Sequence, residues 1–582
     1  MLTNIKFKNY KSFSEGKIEI RPITLLVGAN SVGKSSILQL LLMLQQTALS
    51  DKNYKSALKL HGGNVSMGEG INLLKRKEVS KKLTITIGFD NKDLQELFTT
   101  KLLTQYCQEL LLYASFLDNI FKDENESESD KSLFTTIVNT LTGRNGPSKS
   151  YKRSELDLRF LLNENQIIIE KTPFYELIEK TATKLEKIRV KNMSEKLKEN
   201  IFFMRSNFNF SNLSSKKEEY LLSYDVLEKL SQKILDDKFE LSYEIFYKDK
   251  VLVISKISLL NSKNELFTFE FDEHHENRLL NLKSDFLLDE NRKDSRKNIP
   301  IHDLKKLFES PRTIFSFLNN DYDKVRLMQE DKYSVFSFIM YQILSNAVIS
   351  ARSNFTENKI NYVSPLRAHP KRYYFLDKAR VNSSVDTLDG DALTEILKEN
   401  GQLKEQVNSW LRKFNLEVDV SPLQDIIHKI VVSQNSLSLD ITDVGFGISQ
   451  ILPVIIQGFL STPQSITVIE QPEIHIHPKM QADLADLFID IVQKKDKNSN
   501  VSINKFLIVE THSEYLLKRL RRRISEGIIS PENVAIYLIS QPNKDGGIIE
   551  KLEIKDKGFF EWPHDFYGGE LTKDITEFIK NQ

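Results

Sequence analysis

The sequence predicts an α/β fold: a mixed sheet flanked by helices, split into two lobes by a large, mostly helical insertion. Near the N-terminus, strand-like apolar runs lead into a glycine-rich turn and an apolar helix at 37–46. Strand–turn–helix units return only after about residue 360. The intervening chain is rich in Lys, Asn, Glu and Ser and has helical periodicity. We therefore expect an N-terminal lobe over 1–92, an insertion over 93–355 and a C-terminal lobe over 356–582.

The individual elements follow from apolar periodicity. Alternating or continuous apolar runs predict strands at 2–8, 17–27 and 82–90, and a strand pair at about 240–260. Helical spacing predicts helices at 37–46, 93–121 and 175–204, and the segment 126–132, ESESDKS, is expected to be a solvated loop. The C-terminal lobe is expected to contain three strand–turn–helix units around DVGFGISQ, SITVIEQPE and FLIVETHSEYLL.

Composition excludes several classes of protein. Lys+Arg number 81 and Asp+Glu 80, and a net charge of +1 excludes bulk attraction to polyanions. The single cysteine, Cys107, excludes a disulfide framework and a cysteine zinc site within one chain. The N-terminus has no signal-peptide core, and no run of about 18 apolar residues is present. We expect no membrane span and a cytoplasmic protein.

Residues 28–35, GANSVGKS, fit the phosphate-loop pattern G-x-x-x-x-G-K-[ST] at every position. The motif follows an apolar strand and opens a helix, which is the context that it requires. Glycines allow backbone N–H groups to surround a phosphate, and the helix N-terminus adds partial positive charge. Lys34 can reach the β- and γ-phosphates and Ser35 can bind Mg²⁺. The sequence therefore predicts a site for ATP and Mg²⁺.

A second strand, SITVI, places Glu470 at its carboxyl end, where ligands bind in an open parallel sheet. Glu470 is expected to hold Mg²⁺ through its water shell. Gln471 cannot accept a proton from water but can orient one by hydrogen bonding. Glu473 either supplies the missing base, if the turn at Pro472 aims it inward, or packs at that turn.

Three further features of the C-terminal lobe leave alternatives open. His475 and His477 have metal-like H-x-H spacing, but we expect them to pack or hydrogen-bond near the nucleotide. The turn with Gly445 and Gly447 opens either an ordinary helix or a second phosphate-binding element that closes over ATP on another subunit. His512, at a strand end, either senses the γ-phosphate or is a structural histidine.

A basic run follows His512 on a predicted helix. Its cations either contact a DNA or RNA backbone or form a solvated face. They are Lys518, Arg519, Arg521, Arg522 and Arg523.

In this order, the motifs resemble those of the ABC-type ATPase heads of the SMC and OLD group. Within that group, the chain looks most like bacterial ATPases of anti-phage systems such as Septu and certain retrons. The resemblance covers about 90 N-terminal residues and most of 360–570, and the insertion shows none. The segments that carry it are NYKSF, LLVGANSVGKSSILQLLL, NYVSPLRAHPKRYY, DVGFGISQILPV, IEQPEIHIHP, IVETHSEYLL and KDKGFFEWPHDF.

The resemblance implies a split ABC-type ATPase head that dimerises head to tail. It gives Glu470 the acidic role and His512 the role of a switch. It assigns nucleotide contacts to Gly28, Asn30, Gly33, Lys34, Ser35 and Ser36, and the partner's signature loop to Gly445, Gly447 and Ser449. Gly445 stands where transporters have a signature serine, and Gln471 where they have the general-base glutamate. We therefore expect slow or gated hydrolysis.

Three functions are considered from the sequence. The first is an ATPase subunit of an anti-phage complex that controls a separate HNH-type nuclease, since only about 60 residues follow the His512 segment, too few for a Toprim nuclease domain. The second is an SMC-like DNA repair or maintenance ATPase acting directly on DNA, which is disfavoured because long heptad runs are missing. The third, and weakest, is a nuclease using the cluster Asp272–Glu276.

Overall fold

The computed structural model describes most of the chain. The described residues are 1–50, 56–122, 171–190, 210, 212–262, 264–272, 279–287, 304, 313–316, 334–356, 358–367, 369–375, 391–434, 437–493, 504–543 and 546–560. The loop predicted at 126–132 and all but Asp272 of the acidic cluster lie outside these residues, as does the end of KDKGFFEWPHDF.

The chain divides into two compact units. The first comprises residues 1–89, 244–253 and 351–582, and the second comprises 90–243 and 254–350. The decapeptide 244–253 lies inside the predicted insertion but groups with the first unit.

Strands occur in both units. In chain order they are β1 (Leu2–Tyr10), β2 (Phe13–Glu19), β3 (Ile23–Val27), β4 (Leu83–Asp90), β5 (Lys238–Lys248), β6 (Val251–Asn261), β7 (Asn264–Phe271), β8 (Leu279–Lys283), β9 (Ile360–Val363), β10 (Tyr374–Phe375), β11 (Leu416–Pro422), β12 (Ile427–Gln434), β13 (Leu437–Asp440), β14 (Ile466–Glu470), β15 (Phe506–Glu510), β16 (Val534–Asn543) and β17 (Gly546–Leu552).

The α-helices are distributed over both units. In chain order they are α1 (Lys34–Ala48), α2 (Lys92–Glu96), α3 (Leu102–Lys122), α4 (Lys171–Val190), α5 (Lys217–Lys233), α6 (Val335–Arg352), α7 (Asp391–Glu399), α8 (Gly401–Leu411), α9 (Phe446–Leu460), α10 (Pro478–Val492) and α11 (Glu514–Ser525).

The main sheet of the first unit is mixed. Its strand order is β4-β1-β2-β17-β16-β3-β15-β14-β9. The strands from β16 to β9 pair in parallel, whereas β1 pairs antiparallel with β2 and β4. The buried strands β3, β14 and β15 are continuous apolar runs, as expected for parallel strands covered on both faces. The predicted fold class, a mixed sheet flanked by helices and interrupted by an insertion, is confirmed.

The sequence predicts one strand over 17–27, but the structure divides it into β2 and β3. Pro22 has no N–H to donate to a ladder, and a turn closes around it, with the Arg21 N–H donating to Thr24 Oγ1 at 3.0 Å. The division allows the chain to change neighbours. β2 pairs with β1, and β3 continues into the middle of the parallel strands.

A smaller four-stranded sheet belongs to the same unit. Its order is β10-β12-β11, with β13 paired to the other side of β12. Alternate residues of β11, among them Leu416 and Val418, are buried with Trp410 of α8 in the core. This sheet leads directly from β13 through the turn at 441–445 into α9.

The second unit combines helices with β7, β8 and the parts of β5 and β6 outside residues 244–253. The predicted helix over 93–121 is observed as α2, a π-turn at Leu97–Lys101 and α3. An aromatic cluster forms part of the core, with Phe174 stacked on Tyr224 at 4.1 Å and Phe210 on Tyr220 at 5.3 Å between ring centroids. The predicted strand pair at about 240–260 is present, and β7 and β8 extend it.

Among the residues that the structure describes, one helical segment, Val335–Phe355, is long and apolar enough to cross a membrane by length and composition, with a mean hydropathy of 1.2. In the fold, 67% of its 18-residue apolar window is buried. A helix that is apolar all round is also what the core of a large protein requires.

Candidate active site

The phosphate loop joins β3 to α1 in the conformation that its glycines permit. Gly28 has φ 144° and Gly33, the N-cap of α1, has φ 111°, both in the region that favours glycine. A Cβ at residue 28 would lie 2.1 Å from the carbonyl oxygen of Ile539, so no side chain fits there. Asn30 and Ser31 are exposed at the tip of the loop. The loop therefore presents its backbone at the N-terminus of a helix, as phosphate binding requires.

Lys34 folds back onto this loop. Its Nζ donates to the carbonyl oxygens of Gly28 at 3.1 Å and Ala29 at 2.6 Å, and lies 4.0 Å from Glu510 Oε1. Burial lowers the pKa of Lys34, and Glu510 opposes this effect. The ammonium group is thus held among acceptors that phosphate oxygens can replace.

The carboxyl ends of three parallel strands meet beside the loop. In register, Leu26 of β3 pairs with Glu510 of β15, and Glu510 pairs with Glu470 of β14. Ser35 Oγ donates to both carboxylate oxygens of Glu510, at 3.0 and 3.2 Å. The structure therefore brings the loop serine and two acidic strand ends to one edge of the sheet.

Glu470 is 8% exposed and its carboxylate accepts a hydrogen bond from Tyr362 Oη at 2.9 Å. Burial, and then Glu510, raise the pKa of Glu470 to about 7, and the Tyr362 hydrogen bond acts in the opposite direction. Burial also raises the pKa of Glu510, against the effects of Ser35 and Lys34. Two buried carboxyl groups with raised pKa values at one sheet edge are typical of a functional site.

The turn after β14 is fixed by its own contacts. Gln471 has φ 45° and its N–H donates to the Glu510 carbonyl at 2.8 Å. Glu473 accepts from Thr511 Oγ1 at 2.9 Å and from the His512 N–H at 2.6 Å. Glu473 therefore ties the turn after β14 to the turn after β15. Burial raises the pKa of this carboxyl.

His512 lies next to the phosphate loop. Burial and Lys34 lower the pKa of its imidazole, and a hydrogen bond with the backbone of Gly28 raises it. The His512 side chain is exposed beside the loop. The two other histidines of the C-terminal lobe motif lie on the adjoining turn, where His477 Nδ1 caps α10 by accepting from the Lys479 N–H at 3.2 Å.

The glycine pair Gly445 and Gly447 lies at the start of α9. Gly445 is the exposed N-cap of α9, and no atom lies within 4 Å of a Cβ built there. A Cβ at Gly447 would lie 2.9 Å from the carbonyl oxygen of His475, so this glycine allows a close approach to the 475–476 turn. Ser449 is buried, with 6% exposed.

The sequence of the chain matches the AAA ATPase domain family over residues 1–179 and 138–517. The chain belongs to this family. A search of curated proteins finds no match.

Two solved structures align with low identity. The SMC head domain from Thermotoga maritima is 7% identical, with 95% of this chain and 99% of that chain covered and a TM-score of 0.31. The Smc head domain of Pyrococcus furiosus with an extended coiled coil, bound to the C-terminal domain of ScpA, is 11% identical, with 100% and 99% covered and a TM-score of 0.30. These scores are too low to bear on function.

Family membership implies nucleotide binding, and the residues at the sheet edge fit Mg²⁺ as well. Mg²⁺ prefers oxygen ligands, takes one or two of them from protein carboxylates and the rest from phosphate and water. Ser35 supplies a hydroxyl and Glu470 a buried carboxylate at the carboxyl end of a strand. Within the described ranges, no group of three or more His, Cys, Asp or Glu side chains is arranged to hold a metal ion without such help.

The basic run on α11 is largely paired within the chain. Arg519 bonds Asp483 and Asp486, Arg523 bonds Asp486 and Glu526, and Arg521 stacks on Phe560 at 4.9 Å. Lys518 and Arg522 also have acidic neighbours on their own helix, but their side chains are 59% and 64% exposed. Of the cations in this run, these two are the best placed for an additional partner.

Sequence reasoning missed three site residues. Glu510 was visible as a strand end but received no role, because the order of strands cannot be read from the sequence. Tyr362 and Arg367 lie in the segment NYVSPLRAHPKRYY, which signalled only a resemblance. Arg367 is 5% exposed and donates through Nη2 to the carbonyl oxygens of Glu470 at 2.9 Å and Gln471 at 3.3 Å. It therefore fixes the backbone of the turn after β14.

Proposed function

We propose that this chain binds Mg-ATP and hydrolyses it slowly. The observation that carries the proposal is the contact between the phosphate-loop residues Lys34 and Ser35 and the acidic ends of β14 and β15. A glycine-rich turn without a functional role would not be expected to contact buried carboxylates at a sheet edge. An ATPase needs both elements at one point.

The residues act on the nucleotide in distinct ways. Lys34 exchanges its two loop carbonyls for β- and γ-phosphate oxygens, while loop N–H groups surround the phosphates. Ser35 and Glu470 would hold Mg²⁺, which would supply neutralisation of the charge that develops on the phosphates. His512, beside Gly28, is placed to detect the γ-phosphate.

Slow turnover follows from the turn after β14. Gln471 can orient a water molecule but cannot take its proton. Both oxygens of Glu473 already accept hydrogen bonds from Thr511 and His512. A base role for Glu473 remains a proposal, and it requires this carboxylate to give up one of these bonds.

We further propose a composite site formed by head-to-tail dimerisation. The exposed N-terminus of α9 at Gly445 offers backbone N–H groups to an anion. In a dimer, Gly445, Gly447 and Ser449 of one protomer would close over the nucleotide of its partner. Asn30 and Ser36 would contact nucleotide from the phosphate-loop side.

The experiment is ATP turnover by the purified chain with Mg²⁺, combined with its molar mass in solution with and without ATP. Lys34→Ala is expected to abolish turnover and ATP-dependent dimerisation. Lys404→Ala, which removes an exposed lysine paired with Asp419, is the matched control. Turnover that survives in Lys34→Ala would refute the assigned site.

The cellular role is proposed on the resemblance of the motifs. We propose a cytoplasmic ATPase subunit of an anti-phage complex that controls a separate HNH-type nuclease. Purification from native cells is expected to recover a nuclease, and recovery would depend on nucleotide state. A chain that never recruits a nuclease, a reverse transcriptase or nucleic acid would contradict this role.

The alternative, an SMC-like DNA repair or maintenance ATPase, is favoured only by the exposed cations Lys518 and Arg522. DNA-stimulated turnover without a protein partner, lost in Lys518→Glu/Arg522→Glu, would support it. Turnover indifferent to DNA would leave the nuclease-controlling role as the better account.

A further inference from the structure

Glu510 is the acidic strand end that contacts the phosphate loop directly, through Ser35 and Lys34. It ends β15, which runs between the phosphate-loop strand β3 and the acid strand β14. The side chain is almost fully buried, with 3% exposed. A buried carboxylate at a ligand-binding sheet edge needs cationic or hydrogen-bonding partners to offset its desolvation. The partners it has are the two phosphate-loop residues that handle Mg-ATP.

The distances between the Ser35 and Glu510 oxygens are close to the spacing of two adjacent Mg²⁺ ligands. The two carboxylate oxygens of Glu510 lie 3.0 and 3.2 Å from Ser35 Oγ. Adjacent ligands of an octahedral Mg²⁺ ion lie about 2.9 Å apart, because each Mg–O distance is about 2.0–2.1 Å. A Mg²⁺ ion could therefore replace the hydrogen bond between Ser35 and Glu510. It would bind Ser35 Oγ and one Glu510 carboxylate oxygen with little movement of either side chain.

Glu470, in contrast, is hydrogen-bonded to Tyr362 and not to a phosphate-loop residue in the structure. Its Oε1 accepts the hydrogen bond from Tyr362, and it belongs to the strand that is one further from the phosphate loop. Two carboxylates and the ammonium of Lys34 form this edge of the site. A divalent cation bound with the nucleotide would balance the excess negative charge that Glu510 and Glu470 create together.

We propose that Glu510 is a direct ligand of the Mg²⁺ that accompanies ATP, next to Ser35, with Glu470 in the adjoining position. This inference rests on the proposed function, since it presupposes a nucleotide at the phosphate loop. In the nucleotide-free protein, the same carboxylate keeps Ser35 and Lys34 in place.

The test measures the affinity for a fluorescent, non-hydrolysable ATP analogue in EDTA, in Mg²⁺ and in Mn²⁺. The ratio of affinities with and without metal gives the coupling between metal and nucleotide. Glu510→Gln removes the charge and keeps the shape. Its affinity in EDTA is expected to be unchanged or tighter, because a negative charge near the phosphates is gone. The gain in affinity that metal gives is expected to fall at least about tenfold.

Glu510→Asp separates ligation from simple charge. It keeps the carboxylate but draws it back by one methylene, so a ligand loses its reach while a distant charge hardly changes. The metal-dependent gain is expected to fall in this variant also, and the electron paramagnetic resonance spectrum of bound Mn²⁺ is expected to change. An Asp variant with the full metal-dependent gain would overturn the proposal. So would a Gln variant that loses as much affinity in EDTA as in Mg²⁺, because Glu510 would then only position the loop.

Two controls keep the outcomes apart. Glu550→Gln, an exposed glutamate of β17, is expected to match the wild type in every condition. Lys34→Ala tests the proposed function itself. A wild-type chain that binds no analogue with or without metal would refute nucleotide binding, whereas binding with metal dependence untouched in both Glu510 variants would refute only the ligand. Thermal unfolding of each variant verifies that it is folded.

Discussion

Replacing Glu470 by Gln is expected to stabilise the nucleotide-free protein at alkaline pH. Burial, and then Glu510, raise the pKa of Glu470 from 4.5 to about 7. Between these pH values, the unfolded chain has released this proton and the folded protein still holds it. The unfolded state therefore binds fewer protons, and the free energy of unfolding falls as the pH rises from about 4.5 to about 7.

The magnitude follows from the shift. At about 1.4 kcal/mol per pKa unit, the ionised Glu470 lowers the free energy of unfolding by roughly 3 kcal/mol above pH 7. The side chain is 8% exposed, so solvent screens this effect little. A glutamine at this position has no charge to bury and still accepts the Tyr362 hydrogen bond. For a unit of this size, the gain corresponds to an increase of roughly 4 °C in Tm.

The assay is thermal unfolding in EDTA without nucleotide, at pH 4.5 and pH 8.0. Glu470→Gln is expected to equal the wild type at pH 4.5 and to exceed it at pH 8.0, while Glu550→Gln follows the wild type at both. Equal Tm differences at the two pH values would refute the reasoning, because the stabilisation must come from avoiding ionisation. Saturating Mg-ATP is expected to remove the advantage.

Three other changes test different parts of the site. Gly28→Ala is expected to destabilise the fold by at least about 2 kcal/mol, since its Cβ would meet the Ile539 carbonyl, whereas Gly445→Ala, with open space around it, is expected to leave Tm unchanged. Arg367→Met is expected to lower ATP turnover about 10- to 100-fold, because the carbonyls of Glu470 and Gln471 lose their hydrogen-bond donor. Arg372→Met, at an exposed position, is the control, and equal turnover in the two variants would contradict a positioning role for Arg367. Glu473→Ala is expected to lower the free energy of unfolding by about 1–3 kcal/mol, because the Thr511 hydroxyl and the His512 N–H both lose their acceptor; Glu550→Ala, at an exposed position, is expected to leave Tm unchanged.

The phosphate loop could be predicted from the sequence because the residues that define it are consecutive. Gly28, Gly33 and Lys34 each have a backbone or charge requirement that few residues meet, so the motif predicted the conformation as well as the ligand. The acid strand was recognisable for a similar reason, since an apolar run ends at Glu470. Both predictions depended on contacts within a few residues.

The arrangement across strands could not be predicted in this way. Ser35 and Glu510 are 475 positions apart, and they meet because β15 inserts between β3 and β14. Nothing in the spacing of the motifs states that order. The division of the segment 17–27 has a different cause. The apolar run predicts one strand, but Pro22 within it has no N–H for a strand ladder.

The contacts at the turn after β14 explain why a glutamine can follow the strand acid in a functional ATPase. A carboxylate at the position of Gln471 would add an acidic side chain next in sequence to the buried Glu470, whose ionisation burial and Glu510 already disfavour. Gln471 adds no charge, and its N–H secures the turn to the carbonyl of Glu510. Because its amide cannot take a proton from water, residue 471 cannot act as a general base, which agrees with the slow hydrolysis that we propose.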